Sequence, residues 1–346
     1  MRYKLLGKSG LRVSELALGT MTFGPEWGWG ADLETSRAIF DTYAKAGGNF
    51  VDTANRYTEG TSERYVGEFV SSDRDHFVVA TKYSLKTRDN DPNGAGNHRK
   101  NLVQSLDASL KRLQLEYVDL LWVHAWDDLT PPEEVMRALD DQVRAGKVLY
   151  LGISDTPAWR VAQMNTLATE RGWTPFTALQ VEYSLIERTV ERELLPMAHA
   201  LELAVTPWAA LGGGLLTGKY TRGSAPNVLT EGRLKPGQGR LAEHNLAIAR
   251  AVDEVADALG KPSSQVALNW VRQQGKLTLP IVGASKVAQL EESLGALEWK
   301  LEPEHLEKLH EVSKIDLGFP LRFLESPGVL DVLYAGTRGL IDNHRE

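Results

Sequence analysis

The chain contains no cysteine. That absence excludes disulfide staples, thiolate metal sites and a cysteine nucleophile together, and it fits a reducing cytoplasm, the location expected here. Long apolar runs are missing too: none approaches the ~18 residues that span a bilayer. Met1 to Lys8 hold no apolar core of about 7–15 residues, so no signal peptide is expected. Positive charge is in deficit, with a net charge of −7, which argues against nucleic-acid or anionic-membrane partners. Also lacking is a dinucleotide-binding glycine turn, since Gly19-Thr20-Met21-Thr22-Phe23-Gly24 does not read G-x-G-x-x-G. The expectation is a soluble protein acting on small molecules.

What is present is alternation. Gly7, Ser9 and Gly10 between short apolar stretches suggest a small hairpin over residues 3–15. Short β-branched runs at 16–21, 49–54, 77–82, 118–124, 149–153, 178–184, 204–210 and 277–282 read as buried strands. Between them lie helical patterns at 33–46, 62–71, 157–170, 189–202, 244–259, 263–274 and 287–297. Asp32 is placed to cap the first of these and Gly47 to end it. Leu102, Leu106, Leu110 and Leu113 stripe another helix, and Pro131-Pro132 opens one that Gly146 ends. Parallel strands joined by helical crossovers are implied, and eight such units close into a (β/α)8 TIM barrel. An open doubly wound sheet is the weaker reading, because it wants the missing glycine turn. No linker or composition break divides residues 1–346, so one domain is expected. Segments 22–30, 83–98, 125–130 and 211–243 all follow strands and would lie over the C-terminal face, where barrel sites form. The tail 316–346 is not needed for closure; it is free to cover that mouth or to make homo-oligomer contacts.

Asp52, Lys82 and His124 end three of the strands, and Tyr57 follows the first by a few residues. A phenol is a poor acid alone, with a pKa near 10. An ammonium within ~4–6 Å favours the tyrosinate and lowers that pKa, an aspartate holds the ammonium, and a neutral histidine donates to a carbonyl oxygen. Together these groups can protonate an oxygen that is gaining charge, but they include no nucleophile or electron source, which points to a bound hydride donor. Alone, each of Asp52, Tyr57 and His124 reads as an ordinary strand-end or packing residue. Lys82 closing a buried strand is costly unless paired.

The same residues carry a resemblance. Gly19-Thr20-Met21, Asp52-Thr53-Ala54-Asn55-Arg56-Tyr57, Gly60 to Glu63, Thr81-Lys82, Val118 to His124, Gly146-Lys147-Val148, Gly152 to Ser154, Gln180 to Ser184, Gly218-Lys219-Tyr220 and Val282 to Ser293 follow in the order seen in the aldo-keto reductases. The chain is most similar to the branch holding bacterial aldo-keto reductases and potassium-channel β subunits. The resemblance implies a catalytic tetrad of Asp52, Tyr57, Lys82 and His124, with Tyr57 as general acid in the reduction of aldehydes and ketones. It implies NADP(H), with NAD(H) as the alternative, placed by Gly19, Thr20, Met21 and Asp52. Ser154, Asp155 and Gln180 would lie at the carboxamide, and Trp208 would stack on the nicotinamide. Ala209, Leu211 and Gly213 would cradle the pyrophosphate. Gly283, Ser285, Gln289, Glu292 and Ser293 would meet the adenosine end, with Lys219 and Arg233 as clamps.

Two positions depart from the family. Asp155 stands where an asparagine is usual, and a carboxylate cannot donate to the carboxamide oxygen. Gly283 and Gln289 stand where many members carry Lys and Arg against a 2′-phosphate; Lys286, Lys219 or Arg233 would have to substitute. Trp27, Trp29, Tyr83 and Trp126 on the mouth segments suggest an aromatic substrate wall. His98, His199, His244 and His344 show no metal spacing, and Asp127-Asp128 read as a helix cap rather than a cation site. A cofactor-binding sensor subunit retaining the fold is the competing function; a metal-dependent barrel hydrolase lacks ligands on enough strand ends.

Overall fold

The computed structural model describes residues 1–222 and 239–343. Two short strands, β1 (Tyr3–Leu5) and β2 (Arg12–Ser14), pair antiparallel as the N-terminal hairpin. Eight parallel strands follow: β3 (Ala17–Gly19), β4 (Phe50–Asp52), β5 (Val78–Tyr83), β6 (Val118–Val123), β7 (Val148–Ser154), β8 (Phe176–Glu182), β9 (Ala204–Trp208) and β10 (Ile281–Gly283), in the order β10-β3-β4-β5-β6-β7-β8-β9. The ring closes through the residues just before β10: Val205 N donates to Leu277 O (2.9 Å) and Leu279 N to Val205 O (2.7 Å). The result is a (β/α)8 TIM barrel.

The run 277–282 was expected as one strand, and its two halves serve different neighbours. Residues 277–279 pair with β9, while Pro280 O accepts from Ala17 N and residues 281–283 pair with β3. Pro280 has no N–H to give to a ladder, so the switch falls there.

Crossover helices cover the barrel: α1 (Leu33–Lys45), α2 (Thr61–Val70), α3 (Arg99–Leu113), α4 (Pro132–Arg144), α5 (Ala158–Arg171), α6 (Leu194–Ala200), α7 (Glu243–Leu259), α8 (Ser263–Arg272) and α9 (Val287–Gly295). Asp32 caps α1 as expected, accepting from Thr35 N at 2.8 Å. The helix expected over 189–202 is instead a short 3-10 turn at 189–191 followed by α6. Pro196 explains the break, because its ring and missing N–H are tolerated only in the first turn of a helix. Beyond the barrel come α10 (Pro303–Val312), α11 (Leu321–Leu324) and α12 (Pro327–Tyr334). No helix among the described residues is long and apolar enough to cross a membrane.

Strand periodicity sorts the core into two layers. Phe50, Val78, Ala80, Leu120, Trp122, Ala178 and Ala204 point inward and fill the barrel, together with Leu6 and Val13 from the hairpin. Their neighbours Val51, Val79, Leu121, Val123 and Leu179 point outward and pack under the helices. The hairpin plugs the bottom at close quarters: a Cβ on Gly7, whose φ is +57°, would lie 2.2 Å from Thr177 O. Trp122 fills the middle because β7 is bare opposite it, a Cβ on Gly152 falling 2.3 Å from the indole. With bottom and middle filled, only the C-terminal end is left for chemistry.

Candidate active site

The last inward positions of β4 and β5, and the inward residue just past β6, carry different chemistry from the layers below. Asp52 ends β4, Lys82 is the last inward side chain of β5, and His124 stands two residues beyond Trp122. Lys82 is fully buried and spends its three protons on the Asp52 carboxylate, on Thr53 O (2.8 Å) and on the Tyr57 hydroxyl (3.2 Å). Asp52 takes a further hydrogen bond from Gln180 Nε2 at 3.1 Å, which ties β8 to β4 across the mouth. The Tyr57 and His124 rings meet edge to face at 5.9 Å. All four residues expected to act together are therefore adjacent.

Tyr57 is fixed by the backbone that follows it. Thr58 and Glu59 both take left-handed conformations, with φ of 45° and 54°. The Thr58 hydroxyl donates to Phe23 O at 2.6 Å, pinning this turn to the mouth segment 22–30. Behind the site, Glu63 is fully buried, accepting from Thr81 Oγ1 (2.5 Å) and pairing with Arg112 Nε (2.6 Å). Glu63 thus ties α2 to β5 through Thr81 and to α3 through Arg112; Glu63 and Thr81 lay in recognised motifs, but the arginine partner had no signal in the sequence.

The electrostatics differ from expectation at one point. Lys82 was expected to bring the phenol's pKa down, yet the Tyr57 pKa is raised: burial pushes it up, and the pull of Lys82 is opposed by the Asp52 charge. The phenol is therefore held firmly protonated. Burial also opposes the Lys82 ammonium, but Asp52 and Tyr57 outweigh it and its pKa rises. His124 is pushed down to about 3, by burial first and by Lys82 second, so its ring is neutral; its Nδ1 is buried without a partner. Asp155, at a φ of 42°, sits beside Ser154 and Trp208; burial raises its carboxyl while those two side chains and Lys82 lower it.

The cofactor positions fall in three groups. Ala209, Leu211 and Gly213 lie on a turn where Ala209, Gly212, Gly213 and Gly214 all have positive φ, and the right-to-left step from Leu211 (φ −97°) to Gly212 (φ 59°) is the backbone form that makes an anion-binding nest. The Lys219 ammonium lies over it, since a Cβ on Gly214 would come within 2.8 Å of Nζ. This cradle of bare glycines under a cation fits a pyrophosphate. At the far end, Ser285 N and Oγ both donate to Gln289 Oε1, Gly283 is exposed, and Lys286 is exposed next to them. Glu292 is engaged by the Ser264 hydroxyl, and Ser293 Oγ turns back to Gln289 O (2.9 Å). In the third group, Gly19 and Thr20 are fully buried, Thr20 Oγ1 donating to Asp52 O (3.0 Å); they hold β4 in place, while Met21 is half-buried beyond them. Arg233 lies outside the described residues.

The aromatic wall is only partly as expected. Trp27 stands 6.5 Å from Tyr57, edge to face, and tilted against the exposed Trp29 at 5.7 Å. Glu59 accepts from its indole N–H (3.2 Å), and Arg56 lies over its ring at 5.8 Å. Trp126 is half-buried on segment 125–130, with Arg160 over it at 5.1 Å. Tyr83 does not line the mouth. Because Lys82 faces inward, its neighbour must face outward, and Tyr83 is buried under the helices with its hydroxyl bonded to Asn97 O at 3.2 Å. Asp127 caps a turn rather than a helix, accepting from Leu129 N and Thr130 N (2.9 Å each) and from Asn97 N, which joins segment 125–130 to 83–98. His98 Nδ1 caps α3 through Asn101 N (3.2 Å). Among the described residues, no group of three His, Asp or Glu side chains is arranged to hold a metal.

Comparison with known proteins agrees with this geometry. Residues 15–314 match the model of the aldo/keto reductase family. The chain is 39% identical over 334 residues to norsolorinic acid reductase from Aspergillus flavus, covering 93% of this chain and 84% of that protein. It is 36% identical over 339 residues to an aryl-alcohol dehydrogenase from Pestalotiopsis microspora, covering 95% and 86%. It is 37% identical over 340 residues to aryl-alcohol dehydrogenase [NADP(+)] from Phanerodontia chrysosporium, covering 90% and 85%.

Proposed function

The chain belongs to the aldo/keto reductase family and is an oxidoreductase, and from that premise we propose that it reduces aryl aldehydes or ketones to alcohols with NADP(H). The observation that carries the reading is the buried contact of the Lys82 ammonium with both Asp52 and the Tyr57 hydroxyl at the barrel mouth. A reduced nicotinamide nucleotide, when bound, supplies the hydride.

Each side chain then has a task set by its surroundings. Tyr57, kept protonated by burial, gives its hydroxyl proton to the carbonyl oxygen as that oxygen gains charge. Lys82 stabilises the tyrosinate left behind, and Asp52 keeps Lys82 charged and aimed. His124, neutral at working pH, donates a hydrogen bond that orients the same oxygen. The nest at 211–214 with Lys219 holds the pyrophosphate. NADP(H) is favoured over NAD(H) by Lys286 as a cation for a 2′-phosphate and by the cofactor in the Phanerodontia chrysosporium relative's name. Asp155 accepts from the carboxamide NH2.

The aromatic preference rests on Trp27, whose edge faces Tyr57, and on the relatives named for aryl alcohols. It is tested by comparing kcat/KM for benzaldehydes and for straight-chain aldehydes in wild type and Trp27→Ala. The substitution is expected to cost aromatic substrates about tenfold, mostly in KM, and aliphatic ones little. Equal losses on both would remove the aromatic reading. The ratio of NADPH to NADH turnover tests the nucleotide.

A further inference from the structure

The barrel is complete by Val312, yet the chain continues as α11 and α12 with almost nothing to rest on. No residue of either helix is buried, and every residue from 331 to 343 is exposed. The tail is tied to the barrel at its root. Arg192 donates to Asp316 O (2.8 Å), Arg322 pairs with the Asp316 carboxylate (3.1 Å), and just upstream Arg188 binds His310 O (2.9 Å) and Ser313 Oγ (2.8 Å). Arg188 and Arg192 lie on the segment after β8, so the tail departs at the mouth end of the barrel.

What the tail exposes is apolar: Phe319 (85%), Phe323, Val332 (80%), Leu333, Leu340 (85%) and Ile341. Together they present roughly 700 Å² of side-chain surface, beyond the few hundred Å² that a single chain ordinarily leaves open. Helices of four and eight residues also fall well short of the ~12–15 that persist in water unaided, so their packing must come from outside. Roughly 700 Å² per copy is close to the ~800 Å² each partner contributes to a stable interface. Charge favours like meeting like. The chain carries −7 overall, but between 317 and 341 Arg322 and Arg338 balance Glu325 and Asp331. Two copies that repel elsewhere carry no net charge against each other at this stretch.

We propose that residues 317–343 are a dimerisation arm whose partner is a second copy of this chain. The proposal does not depend on the reaction assigned above, and its test reads mass rather than turnover. Sedimentation velocity of the full chain at micromolar concentration is expected to show a species of twice the 38.3 kDa chain mass. The doubly substituted Val332→Asp/Leu333→Asp chain, and a chain ending at Asp316, are expected to sediment as monomers with wild-type circular dichroism. The dimer constant of the double variant should weaken at least tenfold. A monomeric wild type overturns the proposal, since the arm would then lack the partner it is built for. A dimer that persists in both variants overturns it equally, by placing the interface elsewhere.

Discussion

At the scale of single residues, the site depends on a buried ion pair that burial alone would oppose. Asp52→Asn leaves the Lys82 ammonium without its counter-charge in the barrel, and should lower stability by about 3 kcal/mol, whereas Tyr57→Phe removes one hydroxyl and should cost about 1 kcal/mol. Chemical denaturation of the two variants checks the ordering; equal losses would mean that the pair is not as isolated from water as the structure shows. His124 gives a pH signature. Its pKa is depressed from 6.5 to about 3 in the fold, so the unfolded chain binds the extra proton first. Its contribution is fully present above about pH 6.5 and is lost progressively as pH falls toward 3. A His124→Asn chain should therefore show a flatter fall of Tm between pH 6.5 and 4 than wild type, read by scanning calorimetry. Asp52, Lys82 and His124 were legible because each sits at a strand end where a charged or polar residue interrupts an apolar run, and Tyr57 because it follows Asp52 by a few residues in a recognised motif. Tyr83 was misplaced because its position on a mouth segment was weighed without the period of two, which Lys82 next to it fixes. The upward shift of the Tyr57 pKa was not legible at all, since it comes from how deeply the folded mouth buries the phenol.

At the scale of elements, the barrel stands on close approaches where side chains are absent. Gly7 is needed twice over, for a left-handed φ of +57° and for the 2.2 Å gap to Thr177 O. Gly7→Ala should destabilise by roughly 2–4 kcal/mol through backbone strain and overpacking. Gly152→Ala should cost about 1–3 kcal/mol by driving Trp122 from its place beneath the site, and KM should rise with it. Urea midpoints check both; an unchanged midpoint in either would show that the barrel relaxes more easily than its packing implies. Helix and strand order were readable from periodicity, and most boundaries fall within a few residues. The exceptions have local causes: Pro196 restarts a helix, and Pro280 divides one predicted strand between two neighbours. The capping by His98 and the turn built on Asp127 depend on segments 83–98 and 125–130 meeting, which no local pattern encodes.

At the scale of the whole molecule, the polar residues gather at one end because everything else is filled. The hairpin closes the bottom, Trp122 and its neighbours fill the middle, and the helices cover the outside. The order of motifs along the chain implied this arrangement, and the family match over residues 15–314 covers the barrel while leaving the tail outside it. The tail was the least legible part: its sequence shows that it is not needed to close the barrel, but not its short helices, nor that they would find no cover on their own barrel. The proposed reaction turns on Tyr57 as the acid beside a bound nucleotide. The most direct measurement is the rate of NADPH oxidation with 4-nitrobenzaldehyde in wild type and Tyr57→Phe, paired with NADPH titration by fluorescence quenching. The account predicts a loss of at least ~10²-fold in turnover with nucleotide affinity nearly unchanged. Turnover surviving in Tyr57→Phe, or a wild-type chain that binds no nicotinamide nucleotide, would contradict it.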